Sequence, residues 1–169
     1  MSATRKKAKP KAAPRKAAQP AASPRRPSRT AAPPTVARVR LERPSLRREA
    51  EFLVLEKRSR RLHRPWVTTC DTPEAYRAWL KRTRRKNARS WFVIDVETNA
   101  LAGVFNLSEI VSGIFLSAYM GYYAFAPSAG RGLMAAGLTL VLAEAFGPLG
   151  LHRLEANVQP GNTDSIRLL

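Results

Sequence analysis

The segment Pro127-Ser128-Ala129-Gly130-Arg131-Gly132 is a tight, glycine-containing loop that feeds an apolar stretch, Leu133–Phe146, in which only Thr139 and Glu144 are polar. If that stretch is a helix, its first backbone N–H groups have no intrahelical partner and converge on the loop. Together with the helix dipole they form an anion site suited to a pyrophosphate. Gly130 and Gly132 permit positive φ and close backbone approach, and Arg131 adds a cation. The same spacing also serves an ordinary turn. No Gly-Lys-Ser/Thr follows, and no G-x-G-x-x-G is present, so neither the Walker nor the dinucleotide fingerprint applies.

The elements around the loop follow from periodicity and punctuation. Val36–Glu42 alternates apolar and polar as a half-buried strand does. Ser45 is an N-cap for a helix over 46–62. Asp71-Thr72-Pro73-Glu74 reads as a capping box with Pro in the first turn, opening a second helix over 75–86 with Tyr76, Trp79 and Leu80 on one stripe. Ser90–Val96, Leu101–Glu109 and Ser117–Phe125 read as antiparallel strands separated by Glu97-Thr98-Asn99 and Ser112-Gly113. The helix Leu133–Phe146 is apolar nearly all round, which predicts burial against a sheet, and Gly147, Pro148 and Gly150 end it. His152–Val158 is a further strand, and Asn162 caps a last helix over 163–169. The order is β-α-α-β-β-β-α-β-α, with no internal repeat.

Charge divides the 169 residues unevenly. The net charge is +18, yet residues 1–40 hold 12 Lys and Arg and no acidic residue, with 7 of the 13 prolines. Residues 1–35 lack large apolar side chains and have nothing to bury, so they read as a disordered basic arm. Their function, if any, is an electrostatic tether to RNA or the ribosome through phosphate contacts. A uniformly basic nucleic-acid-binding globule is disfavoured. The single cysteine, Cys70, excludes an intramolecular disulfide framework and points to a reducing, cytoplasmic setting. No apolar run reaches the ~20 residues of a membrane span, and no apolar signal segment opens the chain. The body 36–169 is long enough to bury roughly 65–70% of its unfolded surface.

Spread along that body are residues that resemble the GNAT acyltransferases, and within them the ribosomal-protein alanine N-acetyltransferases. They are RLERPS at 40–45, LHRPW at 62–66, GVFNLSEIV at 103–111, GYYAF at 121–125, GRGLMAAGL at 130–138, and HRLEAN at 152–157 with Asn162 and Ser165. The resemblance covers 36–169. It implies an α+β fold, with a mixed, mostly antiparallel sheet and helices on both faces. It also implies acetyl-CoA as co-substrate, no metal, and a chain incomplete at its C-terminus, because the family fold continues into the rest of the last helix and two more strands. The expected function is direct transfer of acetyl, in a ternary complex, to a primary amine, with the N-terminal alanine of a ribosomal protein as the acceptor the resemblance favours. The alternatives are a small-molecule amine acetyltransferase of the same fold and a non-enzymatic basic protein that binds nucleic acid.

The resemblance assigns the pyrophosphate to the loop 129–134, with Gly130, Arg131, Gly132, Leu133 and Met134, and the pantetheine to the strand carrying Tyr123, Phe125 and Ala126, with Asn162 nearby. Ala129 stands where the superfamily loop carries Gln or Arg, and Leu169 stands where many members carry a Tyr acid. Ser165, three residues after Asn162, is the hydroxyl left to protonate the leaving thiolate. By resemblance Glu155, which shares a strand face with Asn157, is the first candidate base. Glu109 is the second, since it shares a face with Phe105 and Leu107, an odd place for a carboxylate. Backbone N–H groups at Phe125 or Ala126 are the expected oxyanion donors. His63 and His152 read as structural. Trp66, Tyr119, Tyr122 and Tyr123 read as core aromatics, with Trp66 also able to wall an acceptor groove.

Overall fold

The computed structural model describes residues 38–169; the arm 1–35 and the first two residues of the strand expected over 36–42 lie outside the described residues. Five strands form one sheet in the order β1-β2-β3-β4-β5: Val39–Glu42, Arg89–Asp95, Leu101–Val111, Ser117–Ala124 and Arg153–Glu155. The first four pair antiparallel, and β5 lies parallel to β4. The fold is α+β, as the sequence predicts.

Strand alternation sends successive side chains to opposite faces, and each face meets helices. Trp91, Val93, Phe105, Leu107 and Met120 point to α3 (Leu133–Phe146), packing on Leu133, Leu138 and Val141. Phe92, Ile94, Val104 and Phe125 point the other way, to α1 (Glu49–His63) and α2 (Pro73–Arg82). There Phe52 is fully buried, with ring centroids 4.8 Å from Tyr76 and 5.6 Å from Trp79. Each such buried aromatic contributes on the order of 1.5–3 kcal/mol of transfer free energy.

The element boundaries depart from the sequence pattern at identifiable contacts. Ser45 makes no side-chain cap; Leu46–Arg48 forms a 3₁₀ turn, and the Ser45 carbonyl accepts from the Tyr76 hydroxyl at 2.7 Å. Thr72, not Asp71, caps α2, its Oγ1 accepting from the Ala75 N–H at 3.2 Å. That helix stops at Arg82 because the Thr83 hydroxyl turns back onto the Leu80 carbonyl at 2.8 Å. The last strand keeps only three residues, and α4 (Thr163–Leu168) follows. In β3, the register shifts between Ser108 and Val111. Glu109 sits on that bulge with φ +49°.

Among the described residues, no helix is long and apolar enough to cross a membrane, and no three His, Cys, Asp or Glu side chains are grouped as metal ligands.

Candidate active site

Strands β4 and β5 pair over only three residues, from Ser117 opposite Arg153 to Tyr119 opposite Glu155. Beyond that point they diverge, and a cavity of about 560 Å³ opens between them. Met120–Ala124 form one wall and Asn157–Gln159 the other. Leu62, His63 and Trp66, at and beyond the end of α1, close the top, while Asn162 and Ser165 close a further side. The mouth is the loop Ser128–Gly132 with Met134 and Ala135 of α3.

The mouth has the geometry of an anion site. Gly130 and Gly132 hold φ of +73° and +76°, and Gly132 is the left-handed N-cap of α3. The first helical bond runs from the Ala136 N–H to the Gly132 carbonyl, 3.1 Å, so the amides of Leu133, Met134 and Ala135 have no intrahelical partner. Leu133 is buried beneath the helix, and Met134 lies at the cavity. Gly103 lets it seat there, since a Cβ at 103 would stand 2.3 Å from the Met134 sulfur and 2.6 Å from the Tyr123 carbonyl.

Arg131 corrects the sequence expectation. Its guanidinium lies 3.1 Å from Asp95 Oδ2, and Arg131 is not among the cavity residues. Burial of Asp95 disfavours its charge, but the Glu97 N–H, the Thr98 hydroxyl and Arg131 outweigh that and lower its pKa. The loop therefore offers backbone dipoles, with the Arg131 charge committed elsewhere.

The expected oxyanion donors are also committed. The Phe125 N–H donates to the Ala102 carbonyl at 2.8 Å, and the Ala126 N–H donates to Ser59 Oγ at 2.9 Å. Because Phe125 faces β3, alternation turns the peptide groups of Tyr122 and Ala124 to the open edge. The Ala124 carbonyl is found there, 2.9 Å from His63 Nε2.

Asn162 caps α4, its Oδ1 accepting from the Ser165 N–H at 3.2 Å. Ser165 Oγ lies 2.7 Å from the Tyr122 hydroxyl, which also donates to the Ser165 carbonyl at 3.1 Å. This pair ties α4 to β4 across the cleft and places a hydroxyl on the cavity wall. Of the candidate carboxylates neither lines the cavity. Glu155 is half-buried on β5, ion-paired with Arg153, two residues before the cavity residue Asn157. Glu109 is exposed on its bulge, where the alternation that placed it beside Leu107 no longer holds.

A polar stripe on the buried face of α1 was not singled out from the sequence. Glu56, Ser59 and His63 are spaced i, i+3, i+7 and all are buried. Ser59 receives the Ala126 amide and His63 meets the Ala124 carbonyl, so α1 holds both ends of the β4 terminus. Behind them, Thr69 donates to Glu56 Oε2, which lies 3.2 Å from His63 Nδ1. Burial would lower the His63 pKa; the Glu56 carboxylate and the Ala124 carbonyl more than offset it, and the pKa is raised. Tyr123 packs edge-on against His63, centroids 5.0 Å apart. Burial, and then the Glu56 charge, push its phenol well above the usual value. The i, i+3, i+7 spacing of polar residues inside an otherwise apolar stripe was the available signal.

A sheet opened between two parallel strands, with, at its mouth, a helix N-terminus that no side chain caps, defines the class of α+β fold to which the chain belongs. Residues 38–169 match the acetyltransferase (GNAT) domain, and the chain belongs to that family. It is similar to the Probable N-acetyltransferase YjcK of Bacillus subtilis, 35% identical over 91 residues, covering 54% of this chain and 50% of that protein. The [Ribosomal protein uS5]-alanine N-acetyltransferase of Escherichia coli is 29% identical over 119 residues, covering 66% and 61%. Mycobacterium smegmatis RimJ in complex with CoA-disulfide shares the fold with a TM-score of 0.71 at 21% identity, over 78% of this chain and 67% of that one. Spermidine N-acetyltransferase from Vibrio cholerae, in complex with CoA and spermine, gives 0.62 at 20%, over 79% and 78%. The chain spans 50 to 61% of the length of these two curated relatives.

Proposed function

We propose that the chain carries an acetyl-CoA-dependent N-acetyltransferase acting on a primary amine, with a protein N-terminus, the alanine of a ribosomal protein, as the favoured acceptor. The observation that carries this reading is the open edge of β4 running from the Ser165–Tyr122 hydroxyl pair to the free amides of α3. Those amides, with Gly130 and Gly132, fit the pyrophosphate of the co-substrate, and the edge peptide groups of Tyr122 and Ala124 fit its extended arm. Acetyl-CoA supplies a thioester whose acyl carbon an amine can attack directly.

In this reading the protein does four things. The α3 N-terminus and the β4 edge orient the thioester. The edge amides at Tyr122 and Ala124, replacing those of Phe125 and Ala126, favour negative charge on the carbonyl oxygen. An α-amine titrates near ~7.7–8.0, so a modest base suffices to take its proton. Glu155, on β5 two residues before Asn157, is the proposed base; it too lies outside the cavity lining and acts through an intervening water, whereas Glu109 sits on the β3 bulge. Ser165 Oγ, backed by the Tyr122 hydroxyl, gives a proton to the departing sulfur.

A second reading, a polyamine or other small amine as acceptor, is favoured by the likeness in fold to the spermidine enzyme. It is disfavoured by Arg61 and Arg64, both exposed beside the cavity residues Leu62 and His63, where they would repel a polycation. A ribosome tether through residues 1–35 is part of the proposal, as is a cytoplasmic setting.

The test is incubation with acetyl-CoA and, separately, ribosomal proteins and spermidine, read by mass spectrometry. An added acetyl group on a protein N-terminus supports the reading. Exclusive transfer to spermidine replaces the acceptor, and no transfer to either leaves the non-enzymatic basic protein.

A further inference from the structure

The basic surplus of the folded body is confined to one part of it. Residues 38–169 carry 20 Lys and Arg against 12 acidic residues, a surplus of 8. Residues 57–89 alone carry 12 against 2, a surplus of 10, while residues 90–169, which hold β3 to β5 and α3, carry 3 against 6. The surplus thus belongs to the second half of α1, to α2 and to the turn that follows.

Both helices cover the same sheet face, burying Phe52, Tyr76 and Trp79 inward, and their outward residues share one side of the molecule. Lys57 and Arg61 on α1, and Arg64 at its C-cap, are exposed at i, i+4 and i+7. Lys81, Arg84 and Arg85 are exposed at i, i+3 and i+4, from α2 into a turn still held by backbone bonds from Arg84 to Lys81 and from Arg85 to Arg82. Lys57 and Arg61 stand about 6 Å apart along the α1 axis. Two carboxylates near this side are engaged, Asp71 with Arg60 at 3.1 Å and Glu49 with Arg77 at 3.0 Å, which leaves Glu74 on α2 as the unpaired acidic residue of the segment 57–89. Among the described residues, none of the six Lys and Arg at those positions has a carboxylate partner.

We infer that this α1–α2 face is a binding surface for the phosphodiester backbone of nucleic acid, separate from the arm 1–35. Nine of the 12 basic residues in the segment are Arg, whose planar fork matches phosphate oxygens bidentately. The outward faces expose just two large apolar residues, Val54 and Leu62, too few for insertion into a lipid surface. Backbone phosphates need no apolar contact, and their binding is driven by counterion release.

The test uses the full chain with Arg61, Arg64, Arg84 and Arg85 all replaced by Gln, beside a second variant with Lys at the same four positions. Affinity for a labelled single-stranded RNA and for a duplex DNA is measured over a range of salt. The Gln variant should bind ~10- to 100-fold more weakly at low salt, and its slope of log K against log salt on RNA should shrink by up to about 3, from ~0.7 per lost contact. The Lys variant should keep the slope. A parallel loss on duplex DNA supports recognition of the shared backbone; a loss on RNA alone supports RNA as the ligand. An unchanged slope in the Gln variant, with its melting temperature that of the parent, overturns the inference. So does competition by poly-glutamate of matched charge as effective as that by RNA, which would assign the face to an acidic protein.

Discussion

Replacing Gly132 isolates what the α3 N-terminus does. Its φ is +76°, and an added Cβ would meet no atom within 4 Å, so Gly132→Ala introduces strain without a clash. A left-handed non-glycine residue costs about 1–2 kcal/mol. In a domain of this size each kcal/mol moves the melting temperature by roughly 3–5 °C, so the variant should melt about 3–10 °C lower. The amides of Leu133, Met134 and Ala135 remain in place, so acetyl-CoA should still stabilise it. At a concentration of 100 times Kd that stabilisation is about 2.7 kcal/mol, or roughly 8–13 °C. Gly132→Glu adds the same strain and a carboxylate facing the pyrophosphate. At ~4 Å and an effective dielectric of ~20, one like-charge pair costs about 4 kcal/mol, roughly a thousandfold in affinity. The ligand-induced shift should then fall below about 0.5 °C at the same concentration. Differential scanning fluorimetry of the three proteins, with and without acetyl-CoA, reads all of this. An undiminished shift in Gly132→Glu would refute the placement of the pyrophosphate. A lost shift in Gly132→Ala would show that more than the backbone amides is at work.

Ser165→Ala should lower turnover by ~100-fold with little change in acetyl-CoA affinity, and Tyr122→Phe should lower it less while costing about 1 kcal/mol of stability; wild-type turnover in Ser165→Ala would remove the serine from the mechanism. Glu155→Gln should reduce turnover and Glu109→Gln should not, read by steady-state kinetics on a short peptide; the reverse pattern would move the base to the β3 bulge. His63 has its pKa raised in the fold, chiefly by Glu56 against the effect of burial. The stability it contributes is therefore complete below its unfolded pKa of about 6.5 and is lost as pH rises through the higher folded value. The melting temperature of the parent should fall over that rise relative to His63→Gln, and parallel curves would show that His63 is uncharged in the fold throughout.

The motifs spread over 36–169 carried the resemblance to the family, and sequence pattern alone determined the order of elements, the antiparallel run of strands and the buried helix behind a glycine loop. These are legible because side-chain periodicity and glycine or cap chemistry act locally, within a turn or a strand. What only the tertiary structure decided is which groups remain free. The N–H groups of Phe125 and Ala126 are spent on Ala102 and Ser59, residues 23 and 67 positions away in sequence. Arg131 is drawn to Asp95, 36 residues distant. Glu109 left its expected face through a bulge whose register is set by β4. Glu109 is exposed and was moved by strand register alone; for the Phe125 amide and the buried Asp95, burial forced one choice of partner, because an unpaired donor or charge inside the fold costs more than any single bond gains. That choice depends on which strands and helices meet, and the meeting of α1 with the end of β4 is a property of the packed sheet, written in no local stretch of the chain.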